Sequence, residues 1–356
     1  MTALPAPRGD ILLRSPREAI ALRFPVRGLV AALVLTLLLI AIFAMSMTIG
    51  SYDIDLPTLL ATLSGQTISA AIDNVVWQFR MPRTLAAMMV GAMMALSGGA
   101  LQTVTRNGLA DPSLVGISQG AALAVVFAIV VMPEIDPRLR PLLALVGALG
   151  VAALIQAMSS QQRGASPIRF ILIGVGISAF ISAITSIMLT YGDIDDAVAA
   201  LAWLAGSVNA ASWADVSILF GWSVVLLPLI LLLSRSMAVL RMGEETAIGL
   251  GAPVRRARAT LIAVAVAFAA IATAVIGPIG FVGLIAPHAA RRLARTGLGL
   301  HTIITALCGA LLVATADLVG RAAFAPIQLP AGLLTALIGV PIFVYLLHRS
   351  AAQSNL

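Results

Sequence analysis

The chain has 356 residues, 60% of them hydrophobic and only 10% charged, with a mean hydropathy of +1.04. Soluble domains carry about 25% charged residues, so this composition excludes soluble, disordered, disulfide-rich and DNA-binding classes. The formal charge of +7 comes from 22 arginines and no lysine, which also excludes a P-loop, whose lysine contacts nucleotide phosphates.

A membrane-spanning helix needs about 20 residues without charge. Runs free of Asp, Glu, Lys and Arg cover 28–52, 84–105, 112–133, 141–162, 170–192, 216–234, 259–290, 296–316 and 322–348. The run 259–290 is broken at Gly277-Pro278, which predicts a full span to about Gly277 and a shorter one near 281–294. The total is ten spans in an all-α polytopic membrane protein. The stretch 197–214, with Trp203 and Trp213, predicts an interfacial helix. The first run is longer than the apolar core of a signal peptide and is read as a retained span. The layout is a cytoplasmic tail over 1–27, one transmembrane domain over 28–348 and a second cytoplasmic tail over 349–356.

Arginine sets the orientation. Arg8, Arg14, Arg17, Arg23 and Arg27 precede the first span and place the N-terminus in the cytoplasm, and ten spans return the C-terminus there with Arg349. The inner side then carries +12 and the outer side −5, which add to +7. The net charge is thus a topology signal and does not point to nucleic acid. Five arginines break the rule and fall outside: Arg80, Arg83, Arg138, Arg140 and Arg321. Arg138 and Arg140 share a short loop with Glu134 and Asp136, and a solvated local cluster accounts for them. Arg80, Arg83 and Arg321 lie at span ends and are read either as snorkelling or as a basic rim for an acidic partner.

Shifting the sequence by 175 residues superposes Arg80 and Arg83 on Arg255 and Arg258, and Gly108, Leu109 and Pro112 on Gly283, Leu284 and Pro287. Five spans separate the two copies, so they face opposite ways, as in an inverted repeat of spans 2–5 and 7–10.

Several motifs have plain structural explanations. Gly116-Ile-Ser118-Gln-Gly120 matches the hydrolase elbow, but it sits at an apolar span without a strand, and its glycines fit helix packing. His288, His301 and His348 have no ligand spacing, and the lone Cys308 forms no disulfide framework, so no metal site is expected. Asp317 is the one acid within an apolar span. Arg321, four residues on, shares its helix face and predicts an ion pair, with a proton-coupling role as the rival. Gly243-Glu244-Glu245-Thr-Ala247-Ile-Gly249-Leu250-Gly251, followed by Arg255-Arg256, predicts a short surface helix that a cytoplasmic motor could push on.

Taken in order, Arg80-Met-Pro-Arg83, the Arg106-Asn-Gly-Leu-Ala-Asp-Pro turn, Trp203-Leu-Ala-Gly-Ser207, the Gly277–His288 run, Asp317 with Arg321, Pro330-Ala-Gly332 and Gly339-Val-Pro341 resemble the FecCD family of ABC-importer permeases. The resemblance runs from about residue 28 to 348. It implies a type II importer subunit that moves an iron chelate, haem or cobalamin, works as a homodimer or paralogue heterodimer, and performs no chemistry itself. The partners it implies are two ATPase chains, which hold ATP and magnesium, and a periplasmic binding protein. No cofactor is expected in this chain, and the bilayer of the bacterial inner membrane is its medium.

Residue by residue, the resemblance puts Arg80, Arg83 and Arg321 at the periplasmic mouth, where they meet carboxylates of the binding protein. It puts Gly243–Gly251, with Arg255 and Arg256, at the ATPase. The turn Asn107, Gly108 and Leu109 becomes a cytoplasmic gate, and Ser178, Ser182, Thr185 and Ser186 line the pathway together with the tenth span. Two positions depart from the family pattern: Gly108 stands where Pro is usual, and Gln328 where Glu is usual. The alternative function is a secondary transporter coupled to protons through Asp317.

Overall fold

The computed structural model describes residues 10–14, 21–50, 53–66, 68–113, 116–160, 167–294, 296–324 and 327–354. Strands β1 (Asp10–Arg14) and β2 (Ala21–Pro25) form an antiparallel hairpin, with Asp10 opposite Pro25. The hairpin is the one departure from an all-helical chain among the described residues, and it lies within the segment expected to be a plain tail. α1 (Val26–Thr48) follows directly, then α2 (Leu56–Leu63) and α3 (Ala70–Asn74). A π-helical turn, Val75–Arg80, joins α3 to α4 (Met81–Thr105).

The chain continues through α5 (Ile117–Val130), a 3₁₀ turn Pro137–Leu139, α6 (Arg140–Ser160) and α7 (Pro167–Tyr191). After these come α8 (Ile194–Leu204), α9 (Trp213–Leu232), α10 (Ser234–Arg241) and α11 (Glu244–Gly249). The last four are α12 (Val254–Ile276), α13 (Val282–Leu293), α14 (Leu298–Ala322) and α15 (Ala331–Ser354).

Eight of these helical stretches are long and apolar enough to cross a membrane: those of α1, α4, α6, α7, α9, α12, α14 and α15. The other two expected spans are helical but short. α5 has 14 residues and α13 has 12, or about 21 and 18 Å of helix against a hydrocarbon core of about 30 Å. In α5 the loss is at the start: Pro112 lies in a turn and Gly116 takes a φ of +97°, so the charge-free run is not all helix. At Gly277 the φ is +80°, a conformation that favours glycine, and α12 ends there. The stretch expected as one interfacial helix over 197–214 is instead α8, a loop, and the start of α9 at Trp213. Ser212 and Asp215 form a reciprocal capping box there, which is a helix start signal.

α4 is the centre of the bundle. Twenty of its 25 residues are buried, and it packs against α9, α12, α13 and α14. Lipid is as apolar as leucine, so close backbone approach, more than hydrophobic burial, holds such helices together. Gly91 of α4 meets Gly309 of α14, and Gly98 meets Gly283 of α13. A Cβ built on Gly98 would lie 2.0 Å from the Gly283 carbonyl oxygen, and one on Gly91 would lie 2.2 Å from that of Gly309. Gly120 and Gly147 bring α5 and α6 together in the same way.

The same packing sets the two ends of the molecule apart. Arg83, at the start of α4, bonds Asp317 near the end of α14, whereas Thr103, near the end of α4, accepts from Arg241 of α10. Arg258, near the start of α12, bonds Glu244 at this second end. The paired motifs Arg80/Arg83 and Arg255/Arg258 therefore sit at opposite ends, as an inverted repeat requires. We refer below to the Arg83 end and the Glu244 end.

Gly98→Ala is expected to lower stability by about 1–3 kcal/mol through forced overpacking. Gly221→Ala, whose Cβ meets nothing within 4 Å, is expected to leave it unchanged or slightly raised. Thermal melting of the two variants in detergent, against the parent chain, checks both.

Candidate functional site

The Arg83 end gathers side chains from four parts of the chain. The Arg83 guanidinium donates from Nε to both oxygens of Asp317, at 2.9 and 3.0 Å, and from a terminal nitrogen to Oδ1 at 2.7 Å. Its other terminal nitrogen donates to Asn209 Oδ1 at 2.5 Å and to Gln328 Oε1 at 2.7 Å. Arg321 donates to the Ser46 carbonyl at 2.9 Å and to Ser46 Oγ at 2.7 Å. Ser46 Oγ in turn lies 2.7 Å from Thr84 Oγ1. Arg80 donates to the carbonyls of Met47 and Thr48, at 2.5 and 3.0 Å.

These contacts correct two expectations. Asp317 pairs with Arg83 on the neighbouring helix rather than with Arg321 on its own. The close approach of α4 to α14 at Gly91 and Gly309 brings the planar Arg83 fork against the carboxylate in a multiply bonded geometry. Arg321 is left to turn toward α1. The three arginines are also no exposed rim: Arg80, Arg83 and Arg321 are 5%, 6% and 5% exposed. They line a cavity of about 250 Å³ with Gly50, Val75, Phe79, Asn209 and Gln328.

Gln328 supplies a neutral acceptor to Arg83. Ser46 and Asn209 gave no motif signal. Ser46 lies inside an apolar run and Asn209 inside a short loop, and only packing shows that both face an arginine.

At the other end, α4 stops at Arg106, whose φ of +51° turns the chain. Asn107 Oδ1 accepts from the Leu109 amide at 2.9 Å, closing a tight turn around Gly108. Gln102, one turn before the end of α4, donates to the Gly283 carbonyl at 3.1 Å and accepts from Arg291 at 2.9 Å. Asp111 anchors the turn: it accepts from the Ser113 amide at 2.8 Å and from the Ser113 hydroxyl, and its Oδ2 lies against the first turn of α13 at Gly283 and Leu284. Burial pushes the Asp111 carboxyl above the usual carboxylate range, and the bonds from Ser113 oppose the shift. The expected gate residues Asn107, Gly108 and Leu109 thus sit in a turn that Asp111 and Gln102 tie to α13.

The segment Gly243–Gly251 forms the short helix expected of it. α11 opens at Glu244 and Glu245 and ends at Gly249, with Leu250 and Gly251 in the following turn. Ala247 is fully buried, while Ile248 and Leu250 are 61% and 64% exposed, as is Met242 at 63%. Arg255 and Arg256 are exposed beside them, and Arg258 bonds Glu244 at 2.9 Å.

Of the expected pathway residues, Ser182, Thr185 and Ser186 line a cavity of about 240 Å³ with Ser118, Gln119, Leu204 and Pro278. Ser178 is not among them, and its hydroxyl donates to the Gly174 carbonyl at 2.6 Å. Ser118 Oγ lies 3.5 Å from Thr273 Oγ1, where α5 packs on α12, and the segment is a helix start rather than a strand-to-helix elbow. Among the described residues no cluster of three or more His, Cys, Asp or Glu could hold a metal ion.

A bundle built around one buried glycine-rich helix, with inverted halves and a structured short helix between them, defines a membrane permease of the ABC-importer type. Residues 37–349 match the FecCD transport family, and the chain belongs to it. It is 37% identical over 329 residues to the Fe(3+)-citrate import system permease protein YfmE of Bacillus subtilis (strain 168), covering 92% of this chain and 97% of that protein. It is 39% identical over 315 residues to the achromobactin transport system permease protein CbrC of Dickeya dadantii (strain 3937), covering 88% and 89%. Against the ferric enterobactin transport system permease protein FepG of Escherichia coli (strain K12) the figures are 36% over 303 residues, with 85% and 90% covered. A solved metal-chelate type ABC transporter in an inward-facing conformation superposes with a TM-score of 0.80 at 30% identity, covering 89% of this chain and 98% of that one.

Asp317→Asn is expected to cost about 3–5 kcal/mol, because it leaves the Arg83 cation buried without its partner. The double variant Arg83→Met/Asp317→Leu is expected to recover most of that loss. A double-mutant cycle on melting temperatures reads the coupling.

Proposed function

We propose that the chain is the membrane subunit of an importer that takes a ferric chelate, of citrate or of a siderophore, into the cytoplasm. The observation that carries the reading is α11. Its exposed Ile248, with Leu250 in the following turn, Met242 before it and Arg255 and Arg256 after it, forms an apolar and basic surface on the polar end of a membrane protein. A surface of this kind suits a soluble partner, and a chain without lysine has no P-loop of its own. The partner is therefore a separate ATPase, which holds ATP and magnesium. Names of relatives that cite ferric citrate, achromobactin and ferric enterobactin support the cargo class.

In this reading the Glu244 end is cytoplasmic, both termini are cytoplasmic, and the chain sits in the bacterial inner membrane with ten spans, α5 and α13 being the short ones. Two permease copies, or this chain and a paralogue, form the pathway between them from α7 and α15. Exposed Phe180 and Ile187 on α7, and Leu337 and Val344 on α15, are apolar surface free to meet the second copy. Closure of the ATPases shifts α11, and the connected α10 and α12 pass the motion to α4 and the Asn107–Leu109 turn. The turn opens or closes as Asp111 and Gln102 carry it with α13.

At the Arg83 end a binding protein delivers the chelate. Asp317 already holds Arg83, so Arg321, which lines the cavity there, is the group placed to meet its carboxylates. The same ion pair leaves Asp317 poorly placed to carry protons.

Proteoliposomes containing the chain, its ATPase and its binding protein are expected to take up labelled ferric citrate or siderophore iron only with ATP. Uptake on a pH gradient alone would overturn the reading. Arg321→Glu is expected to weaken binding-protein affinity at least about tenfold, as measured by titration on nanodiscs, through like-charge contact with the docking carboxylates.

A further inference from the structure

At the Arg83 end, a cavity of about 730 Å³ opens between the starts of α6 and α9 and the end of α12. It lies within the range of about 300–1,000 Å³ common for small-molecule sites. Its walls are Leu142 and Leu145 from α6, Ile218 and Trp222 from α9, and Ile271 and Val275 from α12. Its mouth carries Arg138, Arg140 and Asp215. Along α9, Asp215, Ile218 and Trp222 follow one another on a single helix face, so the cleft runs about 10 Å from the polar mouth into the apolar zone.

Among the described residues the two arginines have no acidic partner. The sequence pattern puts them in a solvated local cluster with Glu134 and Asp136, and Glu134, Asp136 and Arg138 are indeed exposed. In the fold, the Asp136 side chain accepts from the backbone amide of Arg138, as the cap of the 3₁₀ turn. Asp215, the one acid lining the cleft, accepts from the Ser212 amide and hydroxyl at 2.9 and 2.8 Å in the α9 capping box. Among the described residues neither the Arg138 nor the Arg140 guanidinium forms an ion pair. Two cations without a counter-charge thus stand over an apolar cleft that holds a single acid, and that acid is already engaged.

The surroundings give the ligand's chemistry. α9 and α6 present Phe220, Val224 and Val225, and Val146 and Leu149, as exposed apolar surface beside the cleft. On a membrane protein such surface faces acyl chains. Trp203 and Trp222 line the cleft itself, and tryptophan prefers the headgroup level of a bilayer.

We propose that this cleft is a binding site for an anionic glycerophospholipid. The phosphate would sit between Arg138 and Arg140, and one acyl chain would run down the groove past Leu145, Ile218 and Trp222. The apolar length of the groove favours a lipid over a free phosphate ion, which would leave that wall empty. The net charge of the mouth, two arginines against Asp215, favours an anionic headgroup over a zwitterionic one. The site stands apart from the arginine cavity lined by Arg80, Arg83 and Arg321 and from the cavity beside α7. It does not depend on which chelate is carried.

The test uses the full chain in nanodiscs of equal phosphatidylglycerol and phosphatidylethanolamine, with bound lipid read by native mass spectrometry after release. The chain is expected to retain phosphatidylglycerol selectively. Arg138→Ala/Arg140→Ala is expected to reduce that retention about thirtyfold, the loss expected for two arginine–anionic lipid contacts. Leu145→Trp, which fills the groove and leaves the arginines in place, is expected to reduce it as well, and Arg27→Ala, a cation outside the cleft, is expected to leave it unchanged. Wild-type retention in the double arginine variant would overturn the proposal. So would equal retention of phosphatidylethanolamine, or retention of inorganic phosphate at the site in place of lipid.

Discussion

The bundle depends on how thin α4 is. In a bilayer, apolar side chains gain little by leaving lipid for protein, so helices hold together through close packing and a few polar contacts. Gly91 and Gly98 let the α4 backbone touch the backbones of α14 and α13 at Gly309 and Gly283. That contact brings the Arg83 fork within reach of Asp317, and it brings Gln102 under the Gly283 carbonyl. The polar clusters at both ends follow from the same close approach, and a larger residue at Gly98 would disturb the two together.

The two ends use charge differently. At the Arg83 end the arginines are buried, matched to Asp317, side-chain amides, carbonyls and hydroxyls, and line a cavity. At the Glu244 end Arg241, Arg255 and Arg256 stay exposed near the apolar patch at α11, while Arg258 and Arg291 are half-buried against Glu244 and Gln102. Buried, positioned cations suit recognition of a particular partner group, whereas exposed ones beside apolar residues suit a broad docking face. The Asn107–Leu109 turn lies at the Glu244 end, where Gln102 at the end of α4 bonds both Gly283 and Arg291 of the short α13.

Much of this was legible from residues alone. The charge-free runs located the long helices, because the cost of charge in lipid is large and local. Gly277-Pro278 marked the end of α12, and Gly243 with Glu244 marked α11, because glycine, proline and first-turn acids act through neighbouring backbone. The inverted halves were visible as paired arginines at a fixed offset. The errors have a shared physical cause. The Asp317–Arg321 pair and the continuous 197–214 helix were both inferred from closeness in sequence. In each case a partner brought by packing, or a capping contact with the backbone, was the better bond. Ser46 and Asn209 could not be found at all, since a lone serine or asparagine carries no signal until a neighbouring helix supplies the arginine.

By itself the sequence determined the medium, the order of the long apolar segments, the family and the places where helices must break. These are properties of composition and of interactions across a few residues. Tertiary structure alone decided which charges meet, because Arg83 and Asp317 lie 234 positions apart and are joined only by the glycine contacts of α4. It decided that Arg80, Arg83 and Arg321 are buried, that α5 falls short of a full crossing, and that Arg138 and Arg140 stand at an apolar cleft. Such outcomes depend on distances between helices, and no local pattern in the chain encodes them.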